Sequence, residues 1–296
     1  MKNTIAALLL IISAHFAIAQ NNEKETLKKT EDLAAKPASD KPNGWVKKGT
    51  FTFLANQATF NNWLAGGQSN VSGNVNLNYD FNYKYNNYSW DNKVIAAYGL
   101  TKIKNQQLQK TDDRFEFNSL AGLKAFGSWY YSAFLNLKTQ FDSGFDLATN
   151  TKTTHFLSPA FAQFGPGLMY KKSDNLKFNI APATSKLIYV DKQFTQLAPS
   201  FGVKQGQTTR FEFGAAASAY YKFNIMQNVS FENILALYTN YLDQPQNVDL
   251  DYQANIVMKV NTFLSANIAY QTIYDDNAYS GFQTRQVIGI GVNYSF

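Results

Sequence analysis

The sequence predicts an all-β, transmembrane, up-and-down antiparallel β-barrel of about 12 strands, with both termini periplasmic. Three observations predict it. The chain opens on an export label, its body alternates apolar and polar residues with period two over segments of 11–16 residues, and short turns alternate with longer loops. Composition agrees. Among 296 residues only 16% are charged, against roughly 25% in typical soluble domains, while Phe and Tyr number 24 and 18. Few charges with many aromatics exclude disorder for most of the chain. The absence of cysteine excludes disulfides, thiolate metal sites, cysteine nucleophiles and a lipid on a terminal cysteine. A mean hydropathy of −0.31 excludes a helical membrane protein.

Residues 1–19 read as a cleaved signal peptide. Lys2 supplies the positive start, Thr4 to Phe16 the apolar run, and Ala17-Ile18-Ala19 the small-residue cleavage site. That run falls short of the about 20 residues a helical span requires. Residues 20–45 follow as a flexible periplasmic segment. Lys, Glu, Asp, Ala and Pro dominate it, and Leu27 and Leu33 are its only bulky aliphatics, so it buries too little to offset the entropy of ordering.

The barrel is expected over 46–296. In residues 71–85 every odd position from Val71 to Tyr85 is apolar or Gly, and the even ones are Ser72, Asn74, Asn76, Asn78, Asp80, Asn82 and Lys84. Such alternation gives a strand one apolar and one polar face. The same code recurs over 210–223 and 248–259, where Asp249, Asp251, Gln253, Asn255 and Lys259 share the polar face. Soluble strands average about 5–6 residues, whereas a tilted strand crosses a bilayer with about 9–11. Length favours the membrane.

Strands are expected near 46–59, 70–85, 89–102, 113–126, 129–142, 161–171, 175–189, 208–223, 228–242, 247–260, 263–274 and 282–296, with ten or fourteen as alternative counts. The joints after even-numbered strands are tight, as at Asn86-Asn87 and Gly127-Ser128. Those after odd-numbered strands are longer, notably 143–160 and 190–207. Tight turns on the periplasmic side and longer loops outside are the asymmetry of outer-membrane barrels.

Aromatics gather beside the tight turns. Tyr83, Tyr85, Trp90, Trp129, Tyr131, Tyr221, Phe223, Tyr294 and Phe296 are read as a membrane-interface girdle. The chain ends on an aromatic with Ile288, Ile290, Val292 and Tyr294 on the same face, which resembles the terminal signal read by barrel-assembly machinery.

Little in the sequence suggests chemistry. The mature chain has one histidine, His155, with no Gly-x-Ser-x-Gly nearby and no carboxylate at a telling spacing. A hydrolase using His155 is the most distant reading. Asp275, Asp276 and Asn277 offer oxygen ligands for a loose calcium site, but a polar loop tip explains them more simply. No cofactor or metal is expected. Gly165-Pro166-Gly167 and Ala65-Gly66-Gly67 read as bend glycines.

The inward face is richer. Asp80, Lys84, Lys93, Arg114, Glu116, Lys124, Lys138, Arg210, Glu212, Lys222, Glu232 and Lys259 are expected to line the lumen. Arg114-Phe115-Glu116-Phe117 and Arg210-Phe211-Glu212-Phe213 repeat one tetrapeptide, each setting Arg and Glu two residues apart on one face. Such charges either pair and fill the lumen or form a polar path for a small anionic solute. The formal charge of +6 is spread without a basic helix, so nucleic acid is not an expected partner. The expected partners are outer-membrane lipids, the assembly machinery during insertion, and envelope proteins.

Several motifs carry a resemblance in order: Gly44-Trp45-Val46-Lys47-Lys48-Gly49, Asn62-Trp63-Leu64-Ala65-Gly66-Gly67, Lys110-Thr111-Asp112-Asp113, Trp129-Tyr130-Tyr131-Ser132, Leu157-Ser158-Pro159-Ala160 and Ala181-Pro182-Ala183-Thr184-Ser185-Lys186. The span from Trp45 to Phe296 resembles an uncharacterised family of Bacteroidota outer-membrane β-barrels, a domain of unknown function. Ala181 departs from the Ser expected there. The resemblance implies the fold, the cell outer membrane and a Gram-negative host; it implies no activity, ligand or catalytic residue. The leading expectation is a structural or accessory barrel with a side-chain-filled lumen that supports surface or envelope complexes. A small porin-like channel with anion preference is the alternative.

Overall fold

The computed structural model describes residues 42–59, 68–146, 149–277 and 279–296. The expected signal peptide, most of the N-terminal segment and the motif Asn62–Gly67 lie outside the described residues.

Alternation over long segments produces long strands: β1 (Gly44–Ala58), β2 (Asn70–Tyr85), β3 (Tyr88–Ile103), β4 (Leu108–Phe126), β5 (Trp129–Thr139), β8 (Ala160–Ser173), β9 (Leu176–Tyr189), β10 (Thr209–Met226), β11 (Val229–Asn240), β12 (Val248–Lys259), β13 (Leu264–Asp275) and β14 (Tyr279–Ser295). These twelve close into one antiparallel barrel in the order β1-β14-β13-β12-β11-β10-β9-β8-β5-β4-β3-β2. A small hairpin, β6 (Gly144–Phe145) and β7 (Lys152–Thr154), and one helical turn, α1 (Lys192–Thr195), sit in the two longest loops.

Closure leaves no sheet edge to solvate, which is what a spanning sheet requires. The seam is the pairing of Thr50–Leu54 with Gly291–Ser295, continued by reciprocal backbone bonds between Gly49 and Phe296 of 2.7 and 3.0 Å. The terminal aromatic therefore helps close the ring. Its own ring stacks on Tyr79 and Tyr294, each 5.9 Å away.

The outward face is the apolar one. Val71, Val75, Leu123, Phe164, Leu168, Ile180, Leu187, Phe211, Phe213, Ile288, Ile290 and Val292 are exposed on it. A closed barrel with such an exterior spans a membrane. At the tight-turn end the belt becomes aromatic. Trp45 meets Tyr83 at 5.0 Å and Trp90 at 5.8 Å, Trp129 meets Tyr170 at 5.3 Å, and Tyr221 stacks on Phe223 at 5.0 Å.

Strand limits differ from expectation where bulges intervene. β4 begins at Leu108, five residues before the expected 113. Thr111 is an extra residue between the pairs Gly99↔Asp112 and Leu100↔Lys110, so the alternation changes phase there and hides the strand's first turn of pattern. β5 ends at Thr139 rather than 142, because Asp113 accepts hydrogen bonds from the backbone of Phe141 (2.7 Å) and Asp142 (2.9 Å) and turns the chain away.

β8 and β9 slip register between Phe164↔Ser185 and Leu168↔Ile180. Pro166 and Pro182 lack amide donors there. The glycines let the backbones approach: a Cβ on Gly165 would sit 2.6 Å from the Ala183 carbonyl, and one on Gly167 2.3 Å from that of Ile180.

An apolar cluster lies at the long-loop end. Ile188, Val190 and Val203 are buried, and Phe161, Phe194 and Phe201 pack on them. The loop between β9 and β10 thus folds onto the barrel, and Arg210 secures it by donating to the Gly202 carbonyl at 3.1 Å.

Candidate functional site

The lumen collects the charges. Near the tight-turn end Asp91 of β3 holds two lysines, Lys171 at 2.6 Å and Lys177 at 2.9 Å, and Ser89 and Asp174 complete the shell of Lys171. One step along β3, Lys93 lies 3.7 Å from Asp80 and 3.6 Å from Glu232. Tyr220 donates to Glu232 at 2.8 Å, and Asn255 donates to it at 3.3 Å.

Further toward the long loops, Lys138 of β5 reaches Asp251 of β12 at 2.6 Å, and Gln271 donates to the same carboxylate at 2.9 Å. Arg114 of β4 donates to Gln253 of β12 at 3.2 Å and lies 3.6 Å from Glu116. Beyond these, Arg210 pairs with Glu212 at 2.8 Å. Lys186 joins Glu212 at 3.3 Å to Asp249 at 3.0 Å, and Arg285 pairs with Asp112.

Three of these contacts join strands on opposite or nearly opposite sides of the ring. β3 and β11 are six places apart in the ring of twelve, as are β4 and β12, and β5 and β12 are five apart. Lys93–Glu232, Arg114–Gln253 and Lys138–Asp251 therefore strut the barrel from wall to wall. Twelve strands make a lumen narrow enough for paired long side chains to meet. Between the lower strut and the upper two lies a chamber of about 210 Å³. Ile95, Leu120, Phe134, Ile234 and Ala236 supply apolar wall among the charges.

Of the residues expected in the lumen, Asp80, Lys93, Arg114, Glu116, Lys138, Arg210, Glu212 and Glu232 form these pairs, and both Arg-x-Glu repeats make their own contact. Lys222 stands opposite Glu232 across the β10–β11 ladder. Lys84, Lys124 and Lys259 lie at the tight-turn end, away from the struts. The lumen-lining set expected from sequence did not include Lys48, Asp91, Asp112, Lys171, Lys177, Lys186, Asp249, Asp251 or Arg285. Parity would have found Lys48, Asp249 and Asp251, which share their strands' polar faces. Asp112 sits beside the phase-shifting Thr111, whereas Asp91 shares the parity of Lys93 two residues on, so the same rule reaches it.

The outer loops form a second polar cluster. Nε2 of His155 lies 3.3 Å from Asp191, and Nδ1 is 2.7 Å from the Phe156 carbonyl, so both ring nitrogens are engaged. Buried Ser158 accepts from the Asp191 amide at 2.8 Å. This geometry ties loop 140–159 to loop 190–208 and, among the described residues, presents no nucleophile to the imidazole. The Asp191 carboxyl is held below its ordinary range, chiefly by the Gln193 amide it accepts from and also by His155. Asp142 is likewise held down, first by the Tyr98 hydroxyl and then by the Ser143 amide.

Asp275 and Asp276 come within 4.8 Å of Asp249 rather than standing alone with Asn277. Their oxygens suit a hard cation. Lys186 on Asp249 and Asn247, donating to Asp276 at 2.7 Å, already serve two of the three.

Solved barrels resemble this fold. The COG4313 outer membrane channel from Pseudomonas putida F1 has a TM-score of 0.40 and 8% identity, covering 86% of this chain and 95% of its own. The translocator domain of autotransporter NalP from Neisseria meningitidis scores 0.33 at 9% identity, covering 95% and 98%. The outer membrane channel DcaP of Acinetobacter baumannii scores 0.31 at 9%, covering 86% and 96%. At these scores no function transfers. No curated protein matches the chain. The sequence does meet one family: residues 55–145 match the family described as a protein of unknown function, DUF3078.

Proposed function

We propose that the protein is a structural or accessory barrel of the cell outer membrane whose lumen is braced shut and whose long loops meet surface or envelope partners. Both termini then lie in the periplasm, and the tight turns face that side. The observation that carries the reading is the set of three wall-to-wall contacts, Lys93–Glu232, Arg114–Gln253 and Lys138–Asp251, at successive levels of one narrow lumen. A solute path would have to break them. The loop between β9 and β10, folded over its own apolar cluster, supports a closed outer mouth.

Planar-bilayer recording tests this. Wild-type protein with verified insertion is expected to give no discrete conductance steps, and Lys93→Ala/Lys138→Ala, which removes struts at two levels, is expected to give small ones. Discrete steps from the wild type would replace this reading with the small channel. One observation favours that second reading: the chamber between the struts, which an opening at either level would connect to water.

A further inference from the structure

The two ends of the barrel differ in charge. Over residues 42–296, the half of each strand nearer the tight turns, together with those turns, carries ten lysines against four acids. The half nearer the long loops, together with those loops, carries eleven bases against twelve acids. The whole positive surplus therefore sits at the tight-turn end.

Depth locates it further. Inside the mouth, Lys48, Lys93, Lys171 and Lys177 balance Asp80, Asp91, Asp174 and Glu232, four against four. These acids are already engaged there, Asp80 and Glu232 by Lys93, and Asp91 and Asp174 by Lys171. Of the other six lysines, Lys47 and Lys172 are exposed on the outward side. The remaining four face inward: Lys84 of β2, Lys124 of β4, Lys222 of β10 and Lys259 of β12, each at or within four residues of its strand's tight-turn end. Hydrogen bonds and ion pairs among these groups redistribute charge but do not remove the surplus.

The four are placed in opposition. Lys84 and Lys222 stand on strands six places apart in the ring of twelve, and so do Lys124 and Lys259. Two lysine pairs thus face each other across one mouth. Little on the rim offsets them. The turns Asn86-Asn87, Gly127-Ser128, Gln227-Asn228 and Asn261-Thr262 carry no charge, and Asp174 in the fifth turn lies 3.3 Å from Lys171. Charges of one sign in an opening with low-dielectric walls focus their field. A linked series of anions gains more from such a field than a single anion, because each later contact forms at high effective concentration. The strand wall stands between these lysines and lipid headgroups, which leaves a chain entering from the aqueous side as the polyanion they meet.

We infer that the tight-turn mouth is a docking site for an acidic segment of an envelope protein, a short run of Asp and Glu whose carboxylates face the two opposed lysine pairs. This names a partner class for the accessory barrel and rests on that reading for its place in the periplasm. The binding itself is separable from conductance. Discrete steps in the bilayer would remove the accessory reading and leave the docking site standing, whereas a silent barrel that binds no acidic chain would remove this inference alone.

Fluorescence anisotropy of labelled octaglutamate, titrated with the folded, full-length barrel in a neutral detergent, provides the test. At about 50 mM salt we expect saturation with a Kd below about 100 μM, weakening at least about tenfold by about 300 mM as screening shortens the field. A neutral Gly-Ser octapeptide is expected not to bind. The variant Lys84→Gln/Lys124→Gln/Lys222→Gln/Lys259→Gln is expected to bind octaglutamate at least about tenfold more weakly. Lys192→Gln/Lys204→Gln, at the long-loop end, is expected to leave the affinity unchanged. Equal affinity in the wild type and the fourfold variant, equal loss in both variants, or no saturation up to about 1 mM overturns the inference. So does displacement of octaglutamate by an equal concentration of inorganic phosphate, which would mark a small-anion site, or by phosphatidylglycerol mixed into the micelle, which would mark a headgroup site. Heat-modifiable gel mobility establishes that each variant is folded. If the fourfold variant does not fold, Lys84→Gln/Lys222→Gln takes its place with an expected loss of about threefold, and an unchanged affinity then overturns the inference.

Discussion

The two faces of the same twelve strands obey different rules, and the contrast explains where this protein is general and where it is particular. On the outer face most residues answer only to an apolar surround. Apolar side chains fill the middle of the strands and aromatics gather at the tight turns, and one apolar residue can replace another. On the inner face each residue answers to a partner on another strand, often half the ring away. Asp91 on β3 serves lysines from β8 and β9, and Glu232 on β11 serves a lysine from β3. The outside therefore specifies location, while the inside specifies whether anything passes and what is held.

The sharpest way to break the contrast is at Asp91. Its carboxylate and Lys171 are both about 5% exposed, so Asp91→Ala would leave buried Lys171 with Asp174 and Ser89 alone and take from Lys177 its ion pair. Leaving a buried charge unpaired costs about 3–5 kcal/mol. We expect a loss of that order in urea unfolding of the reconstituted barrel, with Asp91→Asn intermediate because its oxygen still accepts. A cost below about 1 kcal/mol, the level of an exposed pair, would mean the lumen is wetter than the burial of these groups implies.

The outer face is expected to respond only to depth and polarity. Leu235, near the middle of β11, has outward-facing Ala219 and Tyr252 as ladder partners. Leu235→Arg should cost about 2–4 kcal/mol at the bilayer midplane, whereas Leu235→Ile or Leu235→Val should be close to neutral in the same assay. If the aliphatic swaps cost as much as the arginine, the face would be a packing surface against another protein rather than against lipid.

This contrast also sets what could be read from the chain. Alternation is a local signal, so parity placed the strands, the outward aromatics and most inward charges, and Arg114-x-Glu116 and Arg210-x-Glu212 paired within one strand as written. Where the ladder departs from period two, parity lost its phase: Thr111 concealed the first residues of β4. The struts were illegible for a different reason. Which lysine meets which acid across the lumen depends on ring closure and on the stagger between strands, and neither is encoded within any one segment. The chamber follows from those struts, and so became visible only with them.

The smallest effect lies where both faces end, at the tie between the two outer loops. Asp191 accepts from the Gln193 amide and from His155, and these contacts hold its carboxyl below the usual carboxylate range. A carboxylate depressed in the folded state contributes stability that is present above its unfolded value and is lost as pH falls through the folded one. The tie should therefore hold at neutral pH and at pH 5, and loosen below about pH 4. Because the Asp191 side chain is about a third exposed, solvent screening keeps the effect local, and the barrel should stay folded throughout. Hydrogen exchange of amides in 190–208 measured at pH 5 and pH 3, corrected for intrinsic rates, reads it directly. Protection should fall at pH 3 in the wild type. In Asp191→Asn it should already be low at pH 5 and change little further. A wild-type loop protected equally at both values would assign its closure to the apolar cluster of Ile188, Val190 and Val203 alone, and would make the polar rim a consequence of that packing rather than a second fastening.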